Sequence, residues 1–378
     1  MMADEILPIE IDTVTSQDQR KTENSVEREK DYTRYIIKSK FLSYSFNNEL
    51  HSKWLIASAT HPLPSSFETL ESSTTWILYW TLNSLRLLKA NVTDLLPRFE
   101  TALALVTAPD GVFKGSQLTR PIIAGCYSGI NAMISIGTTK AYQCIDRRAI
   151  YNFLMSCKFP DGSFEMNKDG SDTDTRSSYC AMTTAIVLNI LDENLLKGVA
   201  EWLLKCQTYE GGFSGNPGGE AHGGYTYCAV SALALLGRVD EIDIDKLVRW
   251  LIQRQMPVEG GFNGRINKLV DVCYTFWQAA VFGVLKKYSK KFQAIDVMPD
   301  VEKLLDYVIL ASQSKDGGFR DKPTKSVDLY HTNYSLSGMS AVLYATNHKM
   351  KDQIGQVEPA MGVDLALFKQ ACDYFKSI

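Results

Sequence analysis

The chain has 378 residues, of which 45% are hydrophobic and 22% are charged, and its formal net charge at pH 7 is −3. This length exceeds that of an ordinary single-core domain, so the chain needs either two domains or one large ring or solenoid. The balanced charge excludes a general electrostatic attraction to nucleic acid or anionic lipid, so any anion-binding site must be a local patch.

The first element in chain order is a charged, Ser/Thr/Gln-rich arm over residues 1–40. Its low apolar content predicts a flexible arm or a peripheral helix, and residues 41–378 are predicted to form a single domain. No apolar run is long enough to cross a membrane. The eight cysteines are scattered without a C-x-x-C pair, and the start of the sequence does not resemble a signal peptide, which together favour a reducing cytoplasm.

An internal repeat organises the rest of the chain. Turn sequences of the type Asp/Glu-Gly-x-Phe recur, and their phenylalanines are 51, 49, 49 and 57 residues apart: Phe113, Phe164, Phe213, Phe262 and Phe319. Glycine supplies the positive φ that a tight turn needs. A period near fifty residues is typical of a tandem or closed-ring architecture.

Two kinds of helix are predicted in each repeat. Segments before the turns carry apolar residues at three- and four-residue spacing, which predicts amphipathic outer helices, for example over residues 195–205, 244–253 and 301–312. Segments after the turns are apolar nearly all round and must be covered on every side, for example over residues 179–191, 225–236, 273–285 and 334–344. We therefore predict an all-α fold, an α/α barrel in which a ring of outer helices surrounds a ring of inner helices.

Unusual polar residues fall at one phase of this repeat, nine to twelve residues after the turn phenylalanine. They are Arg176, His222, Tyr225, Asp271, Cys273 and His331. This phase is the predicted start of the inner helices, so the side chains should converge at one end of the central cavity, where helix N-termini also favour anions.

Asp271, Cys273 and His331 offer three of the ligand types of zinc, and three protein ligands leave a fourth position open, as in catalytic zinc sites. Residues two apart do not share a face of a helix, so Asp271 must lie in the loop or at the helix cap. Alone, Asp271 is more simply an N-cap, and a single cysteine is more simply a small core residue. The three residues together favour zinc.

Other candidates have two interpretations each. Arg265 and Lys268 share a loop and are either a solvated surface pair or a clamp for a diphosphate, and His222 is either a further phosphate contact or a turn residue held by its neighbours. Aromatic residues on or beside the inner segments either pack in the core or form the wall of a hydrocarbon pocket. They are Trp76, Trp80, Tyr179, Tyr225, Tyr274, Trp277 and Tyr330.

Three segments, residues 222–228, 260–277 and 321–331, together resemble the β subunits of protein farnesyltransferases, within a similarity that runs from about Trp76 to Leu343. The resemblance implies an α/α barrel that transfers farnesyl from farnesyl diphosphate to the cysteine thiol of a C-terminal C-a-a-X motif in proteins such as small GTPases. It further implies zinc, a magnesium ion near the diphosphate, an obligate α subunit and a cytoplasmic enzyme.

Carried over position by position, the resemblance implies four groups of site residues. The metal ligands are Asp271, Cys273 and His331 for zinc and Asp321 for magnesium. The diphosphate contacts are His222, Arg265, Lys268 and Tyr274. The isoprenoid contacts are Trp277, Tyr225, Tyr179, Tyr127 and Arg176, and the peptide contacts are Trp76, Trp80, Tyr330 and again Arg176, which reaches the peptide carboxylate through water.

Two positions bear on the length of the donor lipid. In farnesyl enzymes of this family a tryptophan at the position of Trp76 limits the depth of the pocket, and the carboxylate at Asp321 stands where geranylgeranyl enzymes carry a lysine. Both positions favour farnesyl diphosphate. The chain departs from the family at Ile122, where a histidine is usual, and at Asp172, where a glutamate is usual, and these departures leave the preferred last residue of the peptide open.

Two other functions fit parts of the sequence. A non-catalytic toroid that binds partner proteins would explain the repeat but not the phased polar residues. A terpene cyclase would share the barrel, and residues 172–175, Asp-Thr-Asp-Thr, weakly resemble an acidic motif. The cyclase interpretation gives no role to the proposed zinc ligands.

Overall fold

The computed structural model describes residues 13–39, 46–61, 72–116, 118–168, 170–295 and 297–378, so residues 1–12 and 40–45 of the predicted arm and its boundary lie outside the described residues. The α-helices are α1 (Val14–Ser39), α2 (Asn48–Thr60), α3 (Thr74–Leu87), α4 (Leu96–Leu105), α5 (Ile123–Ile136), α6 (Thr139–Tyr142), α7 (Arg147–Ser156), α8 (Thr175–Val187), α9 (Glu193–Leu196), α10 (Val199–Lys205), α11 (Gly223–Leu235), α12 (Ile244–Ile252), α13 (Ala280–Tyr288), α14 (Lys290–Ile295), α15 (Val301–Leu305), α16 (Leu329–Ala345) and α17 (Leu365–Ser377). Two π-helices, Thr275–Ala279 and Asp306–Ser312, precede α13 and follow α15. A short antiparallel hairpin joins β1 (Phe319–Arg320) to β2 (Val327–Asp328).

The inner ring consists, in the described part of the chain, of α3, α5, α8, α11, α13 with its π-helix, and α16. Each of these helices packs against the next, and α16 packs against α3, so the ring is closed. Their residues are buried on all sides, which explains why their sequences lack a polar face. The predicted α/α barrel is confirmed.

The outer ring is formed by α2, α4, α7, α10, α12 and α15 with its π-helix, and each glycine turn packs against the outer helix of the following repeat. Gly211 has φ of 110°, and a Cβ atom there would lie 2.2 Å from the carbonyl oxygen of Lys246. At the last turn, a Cβ at Gly317 would lie 2.7 Å from the carbonyl of Leu50 in α2. This contact closes the outer ring, because it joins the last repeat to the first.

One hydrogen bond recurs between neighbouring repeats. In each case a backbone N–H at or beside the start of an inner helix donates to the carbonyl that lies two residues after the turn phenylalanine of the next repeat. The five pairs are Thr74 to Gly115, Ile123 to Met166, Thr175 to Gly215, Gly223 to Gly264 and Val272 to Asp321, at 2.8 to 3.0 Å. These bonds, which we call the junction bonds, align the starts of α3, α5, α8, α11 and the π-helix before α13. The N-terminus of α16 lies at the same end of the barrel, where His331 is 3.2 Å from Asp271, and we call this end the rim.

The helix α1 packs along the outside of the barrel beside the fourth and fifth turns. Its Val26 is buried, and Lys30 Nζ donates to the carbonyl of Glu259 at 2.7 Å. Glu29 accepts from Arg320 of β1 at 2.7 Å. Of the two alternatives for the N-terminal arm, these residues therefore adopt the peripheral helix. No helix among the described residues combines the length and apolarity that a membrane span needs.

The end of the barrel opposite the rim is filled by residues 355–363, which we call the floor segment. Three tyrosine hydroxyls of inner helices donate to consecutive carbonyls of this segment: Tyr127 to Met361, Tyr179 to Ala360 and Tyr227 to Pro359, at 3.4, 3.0 and 2.8 Å. The buried carboxylate of Glu358 pairs with Lys287 and accepts from the hydroxyl of Tyr288 at 2.8 Å. The segment is thus held by side chains from several repeats.

Candidate active site

The rim carries the three predicted zinc ligands within reach of one another. One ligand atom from each of Asp271, Cys273 and His331 lies within 4.8 Å of the other two. Asp271 precedes the helical turn, as predicted, and its Oδ1 accepts from the backbone N–H of Cys273 at 2.9 Å. The same oxygen lies 3.2 Å from Nε2 of His331, so the loop and α16 meet at this point.

His331 is oriented by Asp328, the N-cap of α16. Asp328 Oδ1 accepts from the backbone N–H of His331 at 2.8 Å, and Oδ2 lies 2.6 Å from its Nδ1. The second carboxylate therefore fixes the ring so that Nε2 faces Asp271 and Cys273. A metal-binding imidazole usually donates its other ring N–H to a carboxylate or a backbone carbonyl, and Asp328 has this place beside His331.

Charges in the cluster shift its pKa values strongly. Burial opposes a charge on His331, but the hydrogen bonds to Asp271 and Asp328 outweigh burial and raise the pKa of His331 to about 10. Burial also acts against ionised Asp271, but the contact with His331 prevails and lowers its pKa. Burial and the Asp271 carboxylate raise the pKa of the Cys273 thiol well above its ordinary value. A proton on His331 thus balances the charge of Asp271.

The donor set fits a zinc ion. Ligand atoms at about 2.0 to 2.3 Å from a tetrahedral zinc lie roughly 3.3 to 3.8 Å apart, so the cluster needs a contraction on the order of 1 Å. A divalent cation would also replace the proton that the raised pKa of His331 keeps on its ring beside Asp271. The cluster can therefore hold a metal ion with one position left open.

His222 and Tyr274 form a second pair at the rim. Nδ1 of His222 accepts from the backbone N–H of Gly224 at 3.1 Å, so a neutral ring carries its proton on Nε2, which lies 3.2 Å from the hydroxyl of Tyr274. Burial and the nearby Arg265 lower the pKa of His222. His222 is thus the N-cap of α11 and also places an N–H donor beside the cavity. A role in the turn and a role as a phosphate contact are therefore compatible.

The predicted cations of the loop lie at the edge of this pair. Arg265 forms an ion pair with Glu220, and both line a groove of about 550 Å³ that adjoins the main cavity. The side chain of Lys268 is exposed, and its carbonyl accepts from Asn263 at 3.0 Å. Neither cation lines the main cavity.

Asp321 lies beside the metal cluster but has a cation of its own. Its carboxylate pairs with the ammonium of Lys322, and both side chains are largely buried. Burial and the charge of Asp271 raise the pKa of Asp321. Magnesium is often bound by one carboxylate plus substrate phosphates, which fits this residue, but the ion would have to displace Lys322.

Below the rim lies a cavity of about 400 Å³ with a largely aromatic wall. Of the predicted residues it is lined by Trp76, Trp80, Tyr127, Arg176, Tyr179, His222, Tyr274, Trp277 and Tyr330. Trp277 donates from its indole nitrogen to the hydroxyl of Tyr330 at 3.0 Å, and Trp80 packs edge-on against Tyr330 at 5.4 Å between ring centroids. The cavity thus joins the predicted isoprenoid and peptide residues in one space.

Further lining residues were missed by sequence reasoning: Ser73, Ala124, Met166, Cys180, Cys228 and Tyr334. Tyr334 lies four residues after Tyr330 in α16, so helical periodicity would have found it. Cys180 and Cys228 fall sixteen and fifteen residues after their turn phenylalanines, which places them one turn of helix deeper than the phased polar residues. Repeat phase was therefore the signal that could have identified them.

Tyr225 and Arg176 face the adjoining groove. The guanidinium of Arg176 lies 5.5 Å from the ring centroid of Tyr225, and both residues line that groove, although Arg176 also reaches the main cavity. Asp174 binds Arg176 with both carboxylate oxygens and caps α8. Asp174 is buried by these contacts, so the acidic segment weakly resembling a cyclase motif serves to hold Arg176.

The two departures from the family lie beside Met166. Ile122 precedes α5 without a side-chain cap bond, and Asp172 accepts through its backbone carbonyl from Met166 at 3.3 Å. The Met166 sulfur in turn accepts from the N–H of Ala124 at 3.3 Å. An apolar side chain and a thioether thus occupy this part of the rim.

Comparison with known proteins agrees with this architecture. Residues 46–363 match the model of the prenyltransferase alpha-alpha toroid domain. The chain is 40% identical over 314 residues to the protein farnesyltransferase subunit beta of Schizosaccharomyces pombe, which covers 82% of each protein. It is 33% identical over 356 residues to the protein of the same name from Saccharomyces cerevisiae, covering 88% of this chain and 81% of the relative.

Solved structures show the same fold. Protein geranylgeranyltransferase-I of Candida albicans complexed with GGPP superposes with a TM-score of 0.74 at 23% identity, covering 86% of this chain and 98% of the other. A type II terpene cyclase from Scytonema superposes with a TM-score of 0.52 at 11% identity, covering 86% of this chain and 99% of the other. From the sequence relatives, the chain belongs to the prenyltransferase α/α toroid family and, within it, to the β subunits of protein farnesyltransferases, which are prenyltransferase enzymes.

Proposed function

We propose that this chain is the catalytic β subunit of a zinc-dependent protein farnesyltransferase. It transfers farnesyl from farnesyl diphosphate to the cysteine thiol of a C-terminal C-a-a-X motif in proteins such as small GTPases. The observation that carries the proposal is the convergence of Asp271, Cys273 and His331, whose chain neighbours Tyr274 and Tyr330 line the aromatic cavity. A metal site alone would fit many reactions, and an aromatic cavity alone would fit many apolar ligands.

Asp271, Cys273 and His331 are the proposed zinc ligands, and Asp328 holds His331 in its ligating orientation. Zinc bound there would supply the positive charge that keeps the substrate cysteine as a thiolate at neutral pH. Since the thiol is already ionised, the chain needs no general base. The three ligands leave room for the incoming sulfur.

The diphosphate is the leaving group, and its charge grows as the bond between C1 of the farnesyl group and the diphosphate oxygen breaks. His222 and Tyr274 supply neutral donors inside the cavity, while Arg265 and Lys268 supply positive charge from its edge. Arg265 must turn from Glu220 toward the ligand, which exchanges one carboxylate for a diphosphate. A magnesium ion held by Asp321 and the diphosphate would share the same charge.

The lipid tail is proposed to lie against Trp277, Tyr179 and Tyr127, with Tyr225 and Arg176 at the edge toward the adjoining groove. Trp76 packs against Trp80 and Tyr127 with ring centroids 5.6 Å from each, so its indole limits the space beside them. This supports the shorter farnesyl donor. Trp80, Tyr330 and Arg176 are proposed to contact the peptide.

A partner subunit follows from membership among β subunits, and we propose an obligate α subunit that completes the diphosphate site. A cytoplasmic location stays a prediction, as does the absence of nucleic acid among the partners. The exposure of the two predicted cations supports an incomplete site, because Arg265 is partly exposed at the groove and Lys268 in the same loop is exposed.

The decisive experiment is co-expression of this chain with a candidate α subunit, followed by zinc measurement and a farnesyl-transfer assay on C-a-a-X peptides. We expect about one zinc per heterodimer and transfer that depends on the peptide cysteine. A peptide with serine in place of the cysteine is the matched control. Pure heterodimer that retains no zinc and transfers no lipid would contradict the proposal and favour a binding toroid.

A further inference from the structure

The junction bond of the fifth turn differs from the others in what it holds. Its donor, Val272, lies between the two proposed ligands Asp271 and Cys273, and its acceptor is the carbonyl of Asp321 at 3.0 Å. The backbone N–H of Val272 therefore fixes the segment that carries both ligands. The bond thus ties the segment with Asp271 and Cys273 to the fifth turn, whereas His331 lies on α16.

The same carbonyl accepts a second hydrogen bond, from the hydroxyl of Tyr307 at 2.9 Å. Tyr307 lies twelve residues before its turn phenylalanine, and Trp250 has the same position in the preceding repeat. The indole nitrogen of Trp250 has no partner among the described residues, and the equivalent carbonyl, that of Gly264, receives a 3.4 Å contact from Gln278 instead. A hydroxyl from the outer ring thus supports the junction beside the metal cluster.

Tyr307 is itself held in a fixed position. It is fully buried in the π-helix Asp306–Ser312, and a Cβ at Gly261 would lie 2.5 Å from its ring. A π-helix leaves carbonyls out of the regular α-helical pattern, and two of them accept from outside it: Leu310 from Thr33 of α1 at 3.0 Å and Ala311 from Arg320 at 3.3 Å. Burial raises the pKa of Tyr307 well above its ordinary value, so the hydroxyl keeps its proton and acts as a donor.

We infer that Tyr307 is a positioning residue for the metal: its hydroxyl fixes the Asp321 carbonyl, that carbonyl fixes Val272, and Val272 sets the separation of Asp271 and Cys273. The inference rests on the proposed metal site. Asp328 orients His331, and Tyr307, a residue of the outer ring, would orient the segment that carries the other two ligands. Loss of a group bonded directly to a metal ligand typically weakens metal binding by about 10- to 100-fold, and Tyr307 acts through further hydrogen bonds, so we expect the lower end of that range.

The test compares Tyr307→Phe with Tyr227→Phe in the full chain co-purified with its partner subunit. Each variant loses one buried tyrosine hydroxyl that donates to a backbone carbonyl, but Tyr227 donates to Pro359 in the floor segment. Zinc affinity is measured by competition with a chelator. The thiolate-to-metal absorption of the Co²⁺-substituted protein reports the geometry around Cys273. Thermal unfolding of both variants is followed in parallel.

We expect Tyr307→Phe to bind zinc about tenfold more weakly than the parent and to change the Co²⁺ spectrum, because the ligand segment is less well fixed. Tyr227→Phe should bind zinc within about twofold of the parent, with an unchanged spectrum, since its lost bond holds the floor segment and not the ligand segment. A Tyr307→Phe protein that binds zinc no more than about threefold more weakly than Tyr227→Phe overturns the inference. A parent protein without zinc instead overturns the metal site itself.

Amide hydrogen exchange in the parent keeps the inference testable if Tyr307→Phe fails to fold. The N–H of Val272 should exchange more slowly than that of Gly223, which donates to the equivalent carbonyl without a hydroxyl behind it. Equal or faster exchange at Val272 would show that Tyr307 does not fix the junction.

Discussion

The two ends of the barrel are built from the same repeats but differ in what covers them. At the floor, hydroxyls of three inner helices donate to carbonyls of the chain's own residues 359–361, and the buried carboxylate of Glu358 has its cation. At the rim, the polar side chains face a cavity and bond one another. The same inner helices supply polar side chains at both ends of the barrel. The floor segment forms hydrogen bonds with those at one end, whereas those at the rim stay available to a ligand.

This difference also explains the perturbed pKa values of the rim. His331 is shifted upward and His222 downward, although both are imidazoles at the start of an inner helix. Burial of His331 is outweighed by its hydrogen bonds to two carboxylates, whereas burial and then Arg265 both lower the pKa of His222. A metal ion or substrate that binds at the rim would add its own charge beside these two histidines and change their pKa values again.

The largest effect is expected from substitutions of the proposed zinc ligands at the rim, which leave the floor segment unchanged. Cys273→Ala and His331→Ala should each lower zinc content from about one per heterodimer to near zero and abolish transfer, because two protein ligands hold zinc poorly. Cys372→Ala and His348→Ala, in α17 and after α16, are matched controls that should retain zinc. Metal analysis of the purified variants is the measurement, and full zinc in Cys273→Ala would refute the ligand assignment.

A large effect of pH is expected at the rim alone. His331 and Cys273 both carry protons at neutral pH in the metal-free chain, since both pKa values are raised, whereas Asp271 is ionised. Zinc must displace about two protons, so its apparent affinity should rise about 100-fold per pH unit through the neutral range. Chelator competition at several pH values measures this slope. An affinity that does not change with pH would contradict the protonation assigned to the pair.

The floor should respond in stability rather than in metal binding. Gly362 has φ of 76°, and a Cβ there would lie 2.6 Å from the ring of Phe276. Gly362→Ala combines an unfavourable backbone conformation with overpacking and should cost about 2 to 4 kcal/mol of unfolding free energy. Denaturant unfolding checks the cost. Zinc content that falls as steeply as stability would show that the two ends are not independent.

A substitution of Trp76 tests how the aromatic wall of the cavity limits the length of the lipid. Trp76→Thr should raise the use of geranylgeranyl diphosphate relative to farnesyl diphosphate by about tenfold, because removal of the indole lengthens the space for the lipid. A competition assay with both donors is the measurement, with Trp250→Phe in the outer ring as control. An unchanged donor preference would show that residues other than Trp76 determine the length of lipid that the enzyme accepts.

The smallest effect is expected from one hydroxyl of the floor. Tyr227→Phe removes a 2.8 Å hydrogen bond to the carbonyl of Pro359 and should cost about 1 kcal/mol, since a buried acceptor is left without its donor. Transfer and zinc content should stay at the level of the parent. Thermal and denaturant unfolding measure the difference, and a loss of activity without a loss of stability would contradict a purely structural floor.

The fold could be predicted because the same sequence pattern occurs in every repeat. Each turn carries its glycine and phenylalanine, and each inner segment lacks a polar face, so independent signals agreed on one architecture. The N-terminal helix was left open because its contacts are charged and lie on distant elements, as with Glu29 and Arg320. The floor segment has no periodic pattern at all and is defined only by what it fills.

At the site, repeat phase identified which residues meet but not which way they face. It brought Asp271, Cys273 and His331 together, yet it could not show that Lys322 occupies the carboxylate of Asp321. It also placed Tyr225 with the aromatic wall, whereas its ring faces the adjoining groove. Such pairings depend on side-chain rotation within a loop, and the type and spacing of residues do not determine that rotation.

The junction bonds have a consequence for tolerance to insertion. The distance from turn phenylalanine to junction carbonyl is two residues in all five repeats, whereas the distance between successive phenylalanines varies from 49 to 57. The connection after α13, in the longest interval, holds the six-residue helix α14, whereas the connections after α5 and α8 hold the four-residue helices α6 and α9. Extra chain, such as an epitope tag or a reporter domain, should therefore be accepted in that connection, while a single added residue after any turn phenylalanine would shift an entire helix of the ring.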